Sequence, residues 1–354
     1  MRSLCGWLPD FRESGSWNGS GPVIVMILCD DRWFGYHGIG RFAAEVINRL
    51  PGTLDYVRLG SPLSPLDPLR LWAVCANRAP SVFFSPGFNA PIGRPVPFVF
   101  TIHDLIHVHA AEERSMSKAA YYRGIVRPAC RRASYVLTVS EYSKGEICEW
   151  SGVDEGRVRV VGNGVSAEFN PGVEPKRPGY PYLLYVGNQK PHKNIEGLLR
   201  ALARADVPEE LYLVMTGRLG RGAASVADRL GIRARVTELG FVAPEALPQW
   251  YCGARALVIP SLYEGFGLPA VEAMATGTPV LAANRSALPE VVGDAAVKVD
   301  PTDVDSMALG IAEVLRPEVV QRLRSAGLQR AQRYSWDRVG MAVSEVLGEV
   351  SGRS

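Results

Sequence analysis

The stretch "ARALVIPSLYEGFGLPAVEAM", residues 254–274, predicts a buried strand, a glycine-rich turn and a helix in close succession. Its apolar run has the length of a buried strand. Pro269 suits the first turn of a helix, where its missing N–H costs no hydrogen bond. A strand that passes through a short turn into a helix is the repeating unit of a parallel α/β sheet. The stretch therefore predicts an α/β fold.

The same alternation of apolar runs and helical periodicity extends through most of the chain. A first series contains runs at 22–30, 97–104 and 133–140, and a second contains "YLLYVGN", "ELYLVMTG", "RVTELGFV", "ARALVIP" and "GTPVLAAN". A length of 354 residues also exceeds one ordinary core. We predict two doubly wound domains, 22–170 and 171–335, and an amphipathic helix in the final segment, 336–354.

Composition and charge limit the partners and the compartment. A formal net charge of +3 is too weakly basic to favour nucleic acid. The six cysteines have no close spacing, which favours a reducing cytoplasm over a disulfide framework. No apolar run reaches the roughly 18 residues that a membrane span requires. Residues 1–21 lack the pattern of a secretion signal, so we predict a disordered leader, with Met26 as a rival start.

Polar and glycine-rich clusters follow four of the predicted strands. They are "FGYHGIGR", "HDLIHVH", "NQKPHKN" and "SLYEGFG", and they contain all five histidines: His37, His103, His107, His109 and His192. Ligands of open α/β sheets bind outside the carboxyl ends of the strands. Because these clusters are divided between the two domains, we predict one cleft between facing domains.

The cluster at 261–267 combines an anion site with a carboxylate. Gly265 and Gly267 allow a phosphate to approach the backbone at a helix start, where free N–H groups favour anions. Glu264 beside such a site requires a cation, which Lys190 or Lys193 could supply. Amides and a lysine suit a diphosphate, and carboxylates suit sugar hydroxyls, so the pattern indicates a sugar nucleotide. Taken alone, however, lysines after a strand are usually solvated.

Glu272 follows Glu264 by eight positions, inside the predicted helix. Considered by itself, its carboxylate could equally complement the positive end of the helix dipole. The wider segment "PSLYEGFGLPAVEAMATGTPVLAANRSALPEVVGDAAVKVDP" resembles the donor half of glycosyltransferase family 4, whose signature is a glutamate pair separated by seven residues. The resemblance continues through "FGYHGIGRFAAEVINRL", "FTIHDLIHVH" and "YVGNQKPHKNIEGLLRAL" and covers about residues 22–345.

The resemblance implies a fold and a reaction. Members are retaining enzymes of the GT-B fold, with two facing Rossmann-like domains, an interdomain cleft and a last helix that crosses back to the first domain. In its overall sequence the chain most resembles the bacterial mannosyltransferase-like branch of the family, whose enzymes build surface polysaccharides such as O-antigen. The resemblance therefore implies transfer of a hexose, with mannose from GDP-mannose favoured, onto a glycan or polyprenyl-linked glycan acceptor.

The resemblance also assigns roles to individual residues. Lys193 would hold the donor diphosphate, and Glu272 the ribose hydroxyls. Glu264 would face the transferred sugar near its 3-hydroxyl, and His103 would contact that sugar beside the reaction centre. The remaining donor-binding candidates are Gly187, Asn188, Lys190, Gly265, Phe266, Gly267, Leu268, Gly38, Gly40, Arg41, Phe241 and Val242.

Three of these candidates carry specific expectations. Arg41, with the glycines before it, is expected near the phosphates and the acceptor. Asn188 stands where many relatives have an arginine, so one phosphate cation is absent or supplied by Lys190. The region 240–247 is expected beside the nucleotide base and does not distinguish guanine from uracil.

No metal or other cofactor is expected, because fixed positive charge and helix amides can stabilise a departing diphosphate in place of Mg²⁺. The pair Asp303 and Asp305 has the Asp-x-Asp spacing of metal-dependent glycosyltransferases, yet it precedes a helical segment and favours an N-cap. The "HDLIHVH" cluster lacks a clear fourth ligand for zinc. Three rival functions remain beside the favoured reaction: transfer from a UDP-sugar donor, epimerisation of a sugar nucleotide, and a catalytically silent GT-B scaffold.

The segment 112–133 has basic residues among apolar and tyrosine positions at near-helical spacing. Such a basic amphipathic helix suits anionic headgroups, and would bring a cytoplasmic enzyme to the inner face of a membrane as a peripheral protein. An ordinary surface helix with solvated charges is the equal alternative.

Overall fold

The computed structural model describes residues 26–35, 37–58, 60–109 and 116–352. The expected leader, the beginning of the predicted first strand and residues 112–115 of the basic segment lie outside the described residues. The rest contains two parallel sheets of six strands each. The first sheet consists of β1 (Met26–Cys29), β2 (Thr53–Tyr56), β3 (Val82–Ser85), β4 (Phe98–Thr101), β5 (Tyr135–Thr138) and β6 (Val158–Val160).

The second sheet repeats the design. It consists of β7 (Tyr182–Tyr185), β8 (Tyr212–Met215), β9 (Val236–Glu238), β10 (Ala256–Ile259), β11 (Val280–Ala283) and β12 (Val297–Val299). The strand orders are β2-β1-β3-β4-β5-β6 and β12-β11-β10-β7-β8-β9. In both, the chain reverses its direction of winding once, between β1 and β3 in the first sheet and between β7 and β10 in the second. Ligands of doubly wound sheets bind at such switch points.

Helices cover both faces of each sheet. Those of the first half are α1 (Gly38–Ile47), α2 (Asp67–Arg78), α3 (Ile106–His109), α4 (Met116–Tyr121), α5 (Arg127–Arg132) and α6 (Glu141–Ser151). Those of the second half are α7 (Ile195–Arg204), α8 (Arg221–Arg229), α9 (Leu247–Gly253), α10 (Leu268–Thr276), α11 (Leu288–Val292), α12 (Val304–Val314), α13 (Pro317–Ala331) and α14 (Trp336–Ser351). The predicted α/β fold class is confirmed.

The apolar core is continuous between the halves. One cluster of buried side chains joins β1 and α1 of the first half, through α14, to α10 and the second sheet. The opposite face of each sheet has its own cluster. Because the strands are buried on both faces, their sequences are nearly continuous apolar runs and do not alternate between apolar and polar residues. This explains why the sequence shows them clearly.

The last helix, α14, returns to the first half, as the resemblance implies. Its start is capped by Ser335, whose side chain accepts from the amide of Asp337. Asp337 also accepts from Arg49 beside α1 at 2.8 Å. A Cβ at Gly340 would lie 2.8 Å from Cβ of Arg49, so only glycine allows this close approach. Near the other end of α14, Glu349 accepts a hydrogen bond from Tyr135 on β5 at 2.8 Å.

The described part of the basic segment forms α4, a π-helical turn over Tyr122–Val126, and α5. Four of its apolar residues, Tyr122, Val126, Ala129 and Cys130, are buried in the first half, while Arg123, Arg127 and Arg131 are exposed. The apolar face therefore packs on the core and is not free to enter a bilayer. Across the described residues, no helix has the length and apolarity needed to cross a membrane.

Candidate active site

The loop after β10 places a helix start at the switch point of the second sheet. Gly267 has a φ of 95°, which favours glycine, and α10 begins at the next residue. No side chain caps this start, and Pro269 occupies the first turn. Pro269 has no N–H, and the amide of Ala270 donates to the carbonyl of Gly267 at 2.9 Å, so the amides of Gly267 and Leu268 are the ones that could meet an anion. The sequence predicted this arrangement from the glycines and the proline.

Glu264 and Lys193 meet beside this helix start. A short 3₁₀ turn, Pro191–Lys193, follows β7, the strand next to β10 in the sheet. Its last residue brings Nζ of Lys193 to 2.6 Å from Oε1 of Glu264. Ser261 donates to the same oxygen at 2.7 Å. The two charged side chains are only 17% and 15% exposed, so water screens the pair weakly.

Glu272 lies one turn further along α10 and is nearly buried, at 3% exposure. Its Oε2 accepts a hydrogen bond from the hydroxyl of Tyr251 at 2.7 Å. Its Oε1 forms a short ion pair with the guanidinium of Arg41, which lies on α1 of the first half. Thus Glu272 does more than complement the helix dipole, because its carboxylate joins the two halves of the molecule.

A second helix start, that of α1, faces the first across the cleft. A Cβ at Gly38 would lie 3.8 Å from Cδ1 of Leu268, the first residue of α10. The imidazole of His37 caps α1, since its Nδ1 accepts from the amide of Gly40 at 3.0 Å. A Cβ at Gly40 would lie 2.4 Å from the carbonyl oxygen of Gly35, so the loop requires glycine there. Two positive helix ends therefore converge on one point of the cleft.

His103 follows β4 on the same side of the cleft as α1. Its Nε2 lies 2.8 Å from the carbonyl oxygen of Pro86, which can only accept, so Nε2 carries the proton and Nδ1 is the acceptor. Its ring packs edge-on against Phe42, with centroids 4.8 Å apart. The pKa of His103 is lowered to about 4, mainly by burial and to a smaller extent by the nearby His37. The hydrogen bond to Pro86 opposes this decrease. His103 is therefore neutral near pH 7.

Gly265 brings the two halves into contact beside His103. A Cβ at Gly265 would lie 2.7 Å from the carbonyl oxygen of His103 and 2.7 Å from Cβ of Asp104. Burial raises the pKa of the Asp104 carboxyl; Glu264 adds to the increase, and Lys193 opposes it. Asp104 therefore belongs electrostatically to the Lys193–Glu264 pair, although it comes from the first half.

The start of α6 is a second contact between the halves. The amides of Glu141 and Tyr142 donate to the two carboxylate oxygens of Glu290 on α11, at 2.9 and 3.1 Å. Ser140 caps the same helix and donates to the carbonyl of Gly265 at 2.8 Å. A carboxylate from the second half thus satisfies the first free amides of a helix in the first half.

The remaining candidates lie around this centre. Gly187 is fixed by a hydrogen bond from its amide to Thr216 at 3.0 Å, and the exposed Asn188 and Lys190 follow it. Phe266 is buried and packs edge-on against Tyr334. Phe241, beyond β9, is 77% exposed, and Val242 packs against the core. The described contacts do not bring Phe241 to the Lys193–Glu264 pair.

The two sequence patterns that could suggest a metal make other contacts in the described residues. Asp303 is the N-cap of α12 and accepts from the amide of Asp305 at 2.9 Å, which confirms the predicted cap. The histidine cluster after β4 does not converge, because His103 contacts Pro86 while His109 lies 3.7 Å from Glu146. Within the described residues, no group of three or more His, Cys, Asp or Glu side chains could hold a metal ion.

The sequence does not single out several contacts of this site. Tyr251 and Ser261, which contact the two glutamates, carry no local signal of that role, because their partners depend on packing between α9, α10 and β10. Asp104 stands out in the sequence only as a neighbour of histidines. Glu290 lies inside the segment of resemblance, yet nothing in the sequence pairs it with the start of α6.

Two family models match consecutive parts of the chain. The model described as Glycosyltransferase Family 4 matches residues 32–169, and the model described as Glycosyl transferases group 1 matches residues 166–330. Together they span residues 32–330, which contain every strand of the two sheets except β1.

Curated relatives and solved structures give the same result. The chain is 32% identical over 271 residues to O-antigen chain mannosyltransferase B of Escherichia coli, covering 72% of this chain and 71% of that protein. It is 30% identical over 256 residues to O-antigen chain mannosyltransferase RfbU of Salmonella typhimurium, covering 70% and 69%. The structure of HepE of Anabaena in complex with UDP and glucose aligns with a TM-score of 0.72 at 19% identity, covering 92% of this chain and all of that one. At this identity the last match supports the GT-B fold alone.

Proposed function

The chain belongs to glycosyltransferase family 4, and we propose that it transfers mannose from GDP-mannose, with retention of anomeric configuration, onto a glycan or polyprenyl-linked glycan acceptor. Two relatives are named as O-antigen chain mannosyltransferases, which supports both the sugar and a place in cell-surface polysaccharide synthesis. We propose that the reaction takes place in the cytoplasm, with peripheral contact at the inner face of the membrane.

The observation that carries the proposal is the convergence of positive charge at the cleft. The ammonium group of Lys193 and the free amides at the start of α10 lie on one side, and the start of α1 lies opposite. A diphosphate between them would be held by fixed charges that need no rearrangement as the bond to the sugar breaks. Such preorganised groups stabilise developing negative charge most effectively in a site sheltered from water.

The carboxylates have different proposed tasks. Glu264 would accept hydrogen bonds from hydroxyls of the transferred hexose, because it lies between Lys193 and the tip of the loop at Gly265. Glu272 would accept from the ribose hydroxyls, oriented by Tyr251 and Arg41. His103, neutral and fixed by Pro86, would orient the sugar through Nδ1. In this proposal the departing phosphate receives the acceptor's proton on the same face of the sugar.

We propose that no metal ion takes part in the transfer. The supporting observation is the presence of a lysine and two helix starts where a divalent cation would otherwise offset the diphosphate charge. Asn188 supplies no charge, so Lys193 would be the main side-chain cation of this site, with Lys190 close to it in sequence.

A thermal-shift titration tests the donor first, because a ligand that binds only the folded state raises its apparent stability. GDP, UDP, ADP and dTDP are compared with Mg²⁺ and with EDTA. A GDP-selective shift that EDTA leaves unchanged supports the proposal. A UDP-selective shift transfers it to UDP-sugars, and no shift with any nucleotide favours the silent scaffold.

A transfer assay distinguishes a mannosyltransferase from an epimerase and from a silent scaffold. GDP-mannose and a polyprenyl diphosphate-linked glycan are the substrates, and the anomeric configuration of the product is read by NMR. An α-linked product supports retention, because the donor sugar is α-linked. A changed sugar configuration at C2 with no acceptor consumed would identify an epimerase and overturn the proposal.

A further inference from the structure

Helix α2 is apolar on the side that faces away from the protein as well as on the side that faces the core. Leu71 and Cys75 are fully buried, while Leu69 and Trp72 are 52% and 46% exposed. A helix at the surface of a globular protein usually carries polar residues on its outer face. Between the two ends of this fully described helix, Arg70 is the only charged residue. The outer face of α2 therefore requires an explanation.

Neighbouring loops extend this apolar surface. Leu63 and Leu66 precede α2 and are 73% and 57% exposed. Ile92, 42% exposed, is held against the start of α2 by a hydrogen bond from its amide to the carbonyl of Pro68 at 3.0 Å. We call Leu63, Leu66, Leu69, Trp72 and Ile92 the α2 patch. Single exposed apolar residues are ordinary, but several grouped around one helix indicate an interaction site.

Arginines adjoin the α2 patch through the loop that contains Ile92. The next residue, Gly93, accepts from Arg132 at 3.2 Å, and Arg94 donates to Ser134 at 3.2 Å. Arg94 and Arg132 line a cavity of about 450 Å³ together with Arg131 and Arg157. We call these four residues the arginine cluster, which lies at the amino ends of β4 and β5.

The arginine cluster has no acidic partner within the part of the chain that the structure describes. Arg131 donates to the carbonyl of Ser151 at 2.9 Å, and Arg157 donates to the carbonyls of Arg131 and Ala133. None of its four guanidinium groups forms a salt bridge there. The carboxylate of Glu349 accepts instead from Tyr135, which also lines the cavity. Guanidinium groups without carboxylates attract phosphate-bearing ligands.

We propose that the α2 patch and the arginine cluster together dock the protein on an anionic lipid bilayer. Leucines and a tryptophan can enter the boundary between headgroups and acyl chains, while adjoining arginines contact lipid phosphates. A second copy is the weaker candidate, since a two-fold contact through this surface would bring two arginine clusters of the same sign together. This inference rests on the membrane contact proposed above and adds the surface that makes it. Its test is separate from that of the proposed donor and acceptor, because lipid binding is measured without catalysis.

The position of the surface relates it to the cleft. Asp67, the first residue of α2, pairs with Arg32, which follows β1, at 2.6 Å. It also accepts from Asn89, which follows β3, at 2.8 Å. Both strands end at the switch point of the first sheet. A bilayer on the α2 patch would therefore lie next to the side of the cleft expected to receive the acceptor.

The test is co-sedimentation of the full chain with vesicles of phosphatidylcholine alone and with vesicles of equal parts phosphatidylcholine and phosphatidylglycerol, at low and high salt. Two double variants are compared: Leu69→Ser with Trp72→Ser, and Arg94→Gln with Arg131→Gln. The matched controls replace exposed residues of similar types elsewhere: Leu309→Ser with Met341→Ser, and Arg229→Gln with Arg322→Gln. Thermal melts and the nucleotide-induced shift verify that each variant folds.

We expect binding only to the anionic vesicles, weakened by salt. The arginine pair should lower the partition coefficient about 20- to 30-fold, at roughly 1 kcal/mol per arginine, and the apolar pair at least about tenfold. The controls should bind as the wild type does.

Three results would overturn the proposal. The first is no binding of the wild type to either vesicle. The second is unchanged lipid binding in both test variants, together with loss of lipid binding in a further double variant, Arg123→Gln with Arg127→Gln. That result would assign the contact to the exposed basic face of α4 and α5. The third is unchanged lipid binding together with a loss of dimers in Leu69→Ser with Trp72→Ser, which would identify the α2 patch as a contact between copies.

Discussion

Glu264 and Glu272 lie only eight positions apart in the chain, one in the loop before α10 and the other within α10. The residues that contact them nevertheless come from different parts of the molecule. Glu264 is held by Lys193 and Ser261, both from its own half of the molecule. Glu272 is held by Tyr251 from its own half and by Arg41 from the opposite half. The first arrangement would survive a separation of the halves, whereas the second would lose its arginine.

From this difference we infer that the surroundings of Glu264 are preformed and that those of Glu272 would be completed by closure of the halves. Hinge closure of two domains around a ligand is a common way to assemble a site. In the proposed mechanism, the groups near the diphosphate and the hexose would be ready before the donor arrives. The environment of Glu272 would form only when α1 approaches α10.

The largest predicted effect is that of Glu264→Gln, which keeps the shape of the side chain and removes its charge. Lys193 would lose its partner, and the transferred sugar would lose a charged acceptor. We expect kcat to fall about 10²- to 10³-fold, the usual cost of removing one preorganised electrostatic contact. The nucleotide-induced thermal shift should remain. The control is Glu318→Gln, at an exposed position of α13. Full activity of Glu264→Gln would remove Glu264 from the mechanism.

The second prediction concerns the closure-dependent pair and uses a double-mutant cycle of Arg41→Gln and Glu272→Gln. Each single variant should raise the KM of the donor about tenfold, because Arg41→Gln leaves the nearly buried Glu272, and Glu272→Gln the partly buried Arg41, without an ionic partner. Contacting residues are coupled, so the free-energy loss in the double variant should be smaller than the sum of the two single losses, by about 0.5 to 1.4 kcal/mol. The readout is donor KM and kcat measured separately.

If the effects of the two single variants on donor KM simply add in the double variant, the assignment of this pair to the donor site is contradicted. Tyr251→Phe serves as a graded comparison, since it removes one hydrogen bond of about 1 kcal/mol and leaves the arginine in place. Its effect should lie between those of the wild type and Glu272→Gln.

The third prediction concerns another contact between the halves, that of Glu290 with the start of α6. Glu290→Gln keeps one acceptor oxygen and loses the charge that favours a helix N-terminus, at a cost of about 0.5 to 2 kcal/mol. We expect a lower melting temperature and an unchanged kcat in saturating donor. Glu313→Gln on α12 is the matched control. A fall in kcat as large as that of Glu264→Gln would show that α6 does more than join the halves.

Comparison of the two glutamates also explains how much the sequence could predict. The helix start at Leu268 depends on local chemistry, the glycine at 267 and the proline at 269, so the pattern predicts it. The meeting of Lys193 and Glu264 follows from two neighbouring strand ends in one sheet. Both were therefore accessible to sequence reasoning and to the family resemblance.

Contacts that depend on how the two sheets face each other were not accessible. Neither the partner of Arg41 nor the capping of α6 by Glu290 follows from any local pattern, because each joins residues more than 100 positions apart. The basic segment shows the same limit. Its periodicity predicts an amphipathic helix, but only packing shows that the apolar side faces the core.

The smallest predicted effect on catalysis is that of the protonation state of His103. This residue differs from the two glutamates because its contacts described above, with Pro86 and Phe42, lie within the first half. Its pKa, lowered to about 4 from 6.5, means that the folded protein does not bind this proton while the unfolded chain does. Stability should therefore rise with pH between about 4 and 6.5, with a slope of at most about 1.4 kcal/mol per pH unit from this residue. Above that window His103 is neutral in both the folded and the unfolded state and contributes no slope.

Melting temperatures of the wild type and His103→Gln, measured across pH 4.5 to 8, should diverge only at the acid end. The kcat of the wild type should show no step from His103 between about pH 6 and 8. A difference that appears instead near neutral pH would mean that His103 titrates in the open cleft and is charged when the donor binds.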